Sequence, residues 1–123
     1  MSFVEINQLL AEANQRGEFL AAVVTDKEGL PVASATSGAH DPEIQAALVG
    51  LIQRVITQAS DELGVANATE FTLFDANGNR FVCRPFMAGA VEMVLAFLVP
   101  GKDRPYRRVM NQTIAAIQQT IDL

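Results

Sequence analysis

A chain of 123 residues and 13.3 kDa has the length of one domain, and it is read as a single domain over 1–123. Half of the residues are apolar and 19% are charged, which excludes a disordered chain and suits a globular one. The net charge of −5, with a pI of about 4.7, repels nucleic acid and anionic membranes, so neither is expected as a partner without a local basic patch.

From Ser2 to Arg16, Phe3, Ile6, Leu9, Leu10 and Ala13 recur three or four apart, with Glu5, Glu12 and Arg16 opposite, which predicts an amphipathic helix. Gly17 stands where a left-handed residue would end it. The run FLAAVVT, 19–25, predicts a buried strand, and VTDKEGLPVAS, 24–34, carries it through a charged turn closed by Gly29 into a second strand over Leu30 to Thr36. Asp41, Pro42 and Glu43 supply an N-cap, a preset φ and a negative charge at the positive end of a helix dipole. The helix they open should run to Leu63, with Gly64 as its stop. Its apolar residues, Ile44, Ala47, Leu48, Val49, Leu51, Ile52, Val55, Ile56, Ala59 and Leu63, span an arc of about 200° at 100° per residue, twice the roughly 100° that one core requires.

Three strands follow, at Thr69 to Phe74, Arg80 to Phe86 and Val91 to Val99. Asn77-Gly78 within DANGN is read as supplying the positive φ values of a tight hairpin, so the pairing is antiparallel. Asp103 and Pro105 then open a third helix with Tyr106, Val109, Met110, Thr113, Ile114, Ile117 and Ile121 on one face. The order, helix, two strands, long helix, three strands, helix, predicts an α+β domain with one antiparallel sheet and helices on its faces.

Chemistry is sparse. No GxxxxGK[ST] or GxGxxG occurs, and with one histidine, one cysteine and no CxxC the common zinc sites are excluded, so no metal or cofactor is expected. The acidic pairs Asp26/Glu28, Asp41/Glu43 and Asp61/Glu62 sit at a hairpin tip, a helix start and a helix end, where turn chemistry and solvation account for them. Ser34, Ser37, His40 and Asp41 fall close together in SATSGAHD, but a nucleophilic serine needs a strained turn and an oriented base, and this is a polar loop. Cys83 reads as a small buried thiol. The lone cysteine and the absence of a charged-then-apolar leader favour a reducing cytosol, and AVEMVLAFLV, broken by Glu92, is short of the roughly 20 residues that span a bilayer. The segment GKDRPYRR holds Lys102, Arg104, Arg107 and Arg108, cations at a helix start that oppose its dipole and that call for acidic neighbours in the chain or an acidic or phosphorylated partner.

The whole chain resembles the Roadblock family of small dimeric light-chain and GTPase-regulator proteins. VVTDKEGLPVAS is similar to its most recognisable motif, a strand, an acidic turn ending in Gly, and a strand opening with Leu-Pro. The resemblance implies a five-stranded antiparallel sheet with the long helix on one face and the two terminal helices on the other. It also implies a homodimer, or a heterodimer, in which third strands pair edge to edge and second helices pack together. Leu48, Leu51, Ile52, Val55, Ile56, Phe71 and Leu73 are the expected dimer contacts. The family implies no catalytic residue; it implies a small Ras-like GTPase as partner, and Ala46, Gly50, Gln53 and Arg54, taken to lie on the outer side of the long helix, are the expected contacts with it. The other readings are a light-chain-type adaptor and a small-ligand sensor, in which Ala21, Ala22, Ala33 and Ala35 would leave room for a ligand rather than allow close helix packing. A hydrolase using Ser37 and His40 is the least supported.

Overall fold

The computed structural model describes residues 3–36, 39–66 and 68–121. Helix α1 (Phe3–Gly17) leads into strands β1 (Ala21–Asp26) and β2 (Pro31–Thr36). Helix α2 (Pro42–Leu63) follows, then β3 (Phe71–Phe74), β4 (Arg80–Ala88), β5 (Val91–Val99) and helix α3 (Arg107–Ile121). The strands form one sheet in the order β2-β1-β5-β4-β3, antiparallel throughout. This is the α+β arrangement that the sequence predicts.

Strand alternation divides the core in two. Ala22, Val24, Val82, Phe86, Leu95, Phe97 and Val99 meet Ile6, Leu10 and Ala13 of α1 and Met110 and Ile117 of α3. Phe19 stacks on Phe97 with ring centroids 4.6 Å apart. On the opposite face Val23, Cys83, Val94 and Ala96 meet Ala46 and Val49 of α2. That second layer is made of small side chains, so α2 lies close to the sheet. Ala22, Ala33 and Ala35 serve close packing in the first layer.

Several boundaries differ from the sequence reading. The third strand starts at Phe71 instead of Thr69, the fourth runs two residues past Phe86, the first starts at Ala21 instead of Phe19, and α3 starts at Arg107. Ser2 lies outside the described residues. The left-handed residue after α1 is Glu18, with φ 56°, instead of Gly17. Gly17 is required for another reason: a Cβ there would fall 2.2 Å from Cζ of Phe19, whose ring covers it.

The two hairpin turns share one chemistry. Asp26 Oδ1 accepts from the N–H groups of Glu28 and Leu30, both at 2.9 Å, and Asp75 Oδ1 accepts from those of Asn77 and Asn79, both at 2.8 Å. Each turn is closed by a left-handed glycine, Gly29 at φ 93° and Gly78 at φ 85°. Asn77 therefore does not carry the positive φ expected of it: the loop is a three-residue turn with one left-handed position instead of a two-residue hairpin with two. Asp26 is the acceptor that shapes its turn.

Gly29 has a second duty. A Cβ on it would lie 2.8 Å from the Ala46 carbonyl oxygen, and one on Gly50 would lie 2.4 Å from the Glu28 carbonyl oxygen, so the hairpin turn and α2 touch backbone to backbone.

The sheet's two edges are unlike. On β2, the Ser34 N–H donates to Asn7 Oδ1 at 3.0 Å and the Ala35 carbonyl accepts from Asn14 Nδ2 at 2.8 Å, so two amides of α1 bind main-chain groups of that strand. On β3 no such clamp is seen among the described residues, and Leu73 and Phe74 are exposed. An uncovered apolar edge is a template for strand addition.

The Gly29–Gly50 contact yields a stability test. Gly29→Val and Gly50→Ala should each lower stability in urea by about 1–3 kcal/mol, from backbone strain at the first and overpacking at the second. Lys27→Ala, at the exposed tip, should stay within about 0.5 kcal/mol of the parent. Equal midpoints for all three would contradict the close approach.

Candidate functional site

The long helix is fixed at both ends by its own sequence. Asp41 adopts an extended backbone and accepts from the Glu43 N–H at 2.9 Å, Pro42 fills the first turn, and Gly64, at φ 70°, turns its N–H back to the last carbonyls. Gln45, Ala46, Val49, Gly50 and Ser60 are buried. Ile44, Leu48, Leu51 and Val55 point away and stay between 46% and 60% exposed. Ile52 and Ile56 are half-buried. The excess width of the apolar arc is thus real surface.

Strand β3 extends this surface. Phe71 pairs with Cys83 and Leu73 with Phe81, which places both on the sheet face that carries α2. Phe71 is half-buried, whereas Leu73 is 57% exposed. The structure therefore brings the apolar residues expected at a dimer contact to one side of the molecule.

Two residues expected to meet a GTPase do not lie where the sequence reading put them. Ala46 is fully buried and Gly50 is covered by the hairpin turn, so neither is on the outer side of α2. Both are small because the helix sits close to the sheet and the turn, not to admit a partner. Gln53 is half-buried and Arg54 exposed. These two line an open cleft of about 600 Å³ with Lys27 and Glu28 of the hairpin tip and Pro85 and Glu92 of β4 and β5. Lys27 and Glu28 were not singled out for this surface, because only the folded chain brings the tip beside α2.

The residues weighed for catalysis are placed as follows. Asp41 is the helix cap, Ser34 sits on β2, His40 is half-buried in the loop before α2, and Ser37 lies outside the described residues. Among the described residues no group of three or more His, Cys, Asp or Glu side chains is placed to hold a metal. No helix among them is long and apolar enough to cross a membrane. Cys83 is fully buried, and loss of solvent pushes its thiol up to about 12.

The polar cluster lies on the face opposite α2. Glu70 accepts from Arg84 Nη2 and from the Tyr106 hydroxyl, both at 2.7 Å, and Arg107 approaches to 3.9 Å. Burial raises the Glu70 carboxyl, but the hydrogen bonds from Arg84 and Tyr106 and the charges of Arg84 and Arg107 outweigh it, leaving the group below its ordinary 4.5. Burial, and then the bond to Glu70, raise Tyr106. Arg80 and Arg107 lie 5.3 and 5.2 Å from the Tyr106 ring centroid. Arg104 pairs with Glu18 at 2.5 Å. Part of the basic segment thus has acidic neighbours in its own chain.

Two measurements check these environments. Cys83 should resist an aromatic disulfide reagent at pH 8 in the folded protein and react fully in urea; rapid reaction without urea would mean that the strand is not covered by α2. A depressed folded-state carboxylate stabilises above its unfolded value and loses that contribution as pH falls through its folded value. Stability should therefore drop below about pH 4.5 more in the parent than in Glu70→Gln, as read from thermal midpoints.

Comparison with known proteins agrees with this geometry. The model of the Roadblock/LC7 domain matches residues 5–96, from α1 through most of β5. The gliding protein MglB of Thermus thermophilus superposes with a TM-score of 0.77 at 14% identity, over 98% of this chain and 90% of that one. MglB of Myxococcus xanthus gives 0.72 at 15%, over 96% and 85%. A Roadblock/LC7 domain from Streptomyces avermitilis gives 0.66 at 16%, over 94% and 93%. No curated protein matches the chain. The extent of the family match, together with the sheet order and the placement of the helices, establishes that this chain belongs to the Roadblock/LC7 domain family.

Proposed function

We propose that the chain is a non-enzymatic, dimeric regulator or scaffold that binds a small Ras-like GTPase in the cytosol. The observation that carries this reading is the uncovered apolar side formed by Leu48, Leu51 and Val55 of α2 and Leu73 of β3. Aliphatic surface so arranged beside an open strand edge suits a second copy, with helices packed together and β3 strands adjoining. Ile52, Ile56 and Phe71 would complete the contact. The GTPase would meet the flanking polar surface, where Gln53 and Arg54 stand next to Lys27 and Glu28. Support for a GTPase as partner comes from the family resemblance. No arginine finger need come from this chain; regulation by orienting the GTPase's own residues requires no catalytic residue here.

Light scattering at micromolar concentration should give about twice 13.3 kDa. Leu51→Glu combined with Val55→Glu should return the mass to the monomer value with the helix content intact. A parent mass that stays at 13.3 kDa would refute the homodimer, and a shift only on mixing with a related chain would mark a heterodimer.

Calorimetry against a small Ras-like GTPase from the same source, loaded with a non-hydrolysable triphosphate analogue, tests the partner. Binding should weaken about tenfold, or 1.4 kcal/mol, in Arg54→Glu and with GDP in place of the analogue. Absence of binding in both nucleotide states would refute the regulator reading. Unchanged affinity in a still-dimeric Arg54→Glu would move the surface elsewhere.

A further inference from the structure

The basic residues gather at one place that the proposed dimer and GTPase surfaces do not use. A cavity of about 380 Å³ lies where the end of α1 meets the start of α3, lined by Arg16, Arg104 and Arg108, with Glu18, Pro105, Tyr106 and Val109 among its other walls. Three arginines face one carboxylate there, in a chain whose net charge is −5. The local excess is positive against the field of the whole molecule.

Three observations show that this charge is only partly neutralised among the described residues. Arg108 is exposed and makes no ion pair or hydrogen bond with the described residues. Arg104 gives one nitrogen to Glu18, yet its Nε is buried with no acceptor. Arg16 reaches only the neutral amide of Gln112, at 2.7 Å. Arg107 and Arg108 also occupy the first turn of α3, where cations oppose the dipole and an anion is favoured. Tyr106, just before that turn, sends its hydroxyl to Glu70 and so gives the turn's free amides no side-chain acceptor. Guanidinium groups in this setting match carboxylates bidentately.

We infer that this cavity is a docking site for an acidic peptide segment of a partner protein. A peptide is favoured over a membrane or nucleic acid because the chain's net negative charge repels extended polyanions, whereas a short acidic segment meets only the local excess. Val109, Pro105 and the Tyr106 ring add apolar wall for a side chain next to the acidic ones. The site lies on the sheet face opposite α2 and stays open when α2 is covered, so the assignment is independent of the proposed dimer and its GTPase.

The probe is a short fluorescein-labelled peptide of glutamate and leucine, followed by polarisation with the full chain at low salt. Saturable binding is expected, weakened about tenfold by Arg108→Glu with Arg16→Gln and by raising salt to physiological strength, and unchanged by Arg54→Glu on α2. Circular dichroism confirms that the variants fold, and Arg108→Ala, which removes the charge from an exposed position, should show a smaller loss in the same direction. No saturable binding by the parent, or equal affinity in the folded double variant, would overturn the proposal. Tighter association with phosphatidylserine vesicles or a DNA duplex than with the peptide would also overturn it.

Discussion

The contact of Gly29 with Gly50 governs how the α2 side of this fold is organised. Two backbones meet without a side chain between them, so the turn of the first hairpin becomes a seat for the middle of α2. The residues beneath that helix, Ala46, Val49, Ala96 and Cys83, are small enough to let it lie in the seat. A helix held so low commits its inner stripe completely. Ile44, Leu48, Leu51 and Val55 are then left about half exposed on its other side.

Much of this was legible in the sequence because the signals are local. Asp41, Pro42 and Gly64 mark α2 by cap chemistry that depends on nearby residues alone. The two Asp-to-Gly turns mark their hairpins in the same way, although DANGN does not reveal by itself which of two turn types it adopts. The side of α2 that meets the sheet was less legible. An apolar arc of about 200° has two flanks, and periodicity does not say which is covered. Ala46 and Gly50 look alike as a docking stripe or as a packing seam, and only the approach of the Glu28 carbonyl decides for the seam. Gly17 carried a similar ambiguity: its place after a helix suggested a left-handed stop, while its use is to make room for the Phe19 ring.

The polar residues divide along the same sheet. Glu70, just before the edge strand, draws Arg84 of β4 and Tyr106 and Arg107 from the start of α3 to one point, tying the shortest strand to the helix behind it. Such a half-buried carboxylate is tolerable because both oxygens are served by donors. The arrangement lets β3 remain a regular strand while few residues of its own chain cover it. Rigidity at that margin comes from behind the sheet.

The amides of Asn7 and Asn14 set a further limit. A sheet with two open edges has a valence of two, and copies joined through both would grow without end. Here α1 packs on β2 and its Asn7 accepts from the Ser34 N–H, so that edge is less open to strand addition than β3. An assembly built through the sheet's edges would therefore be biased toward β3, and that bias is set by α1, an element apart from either edge.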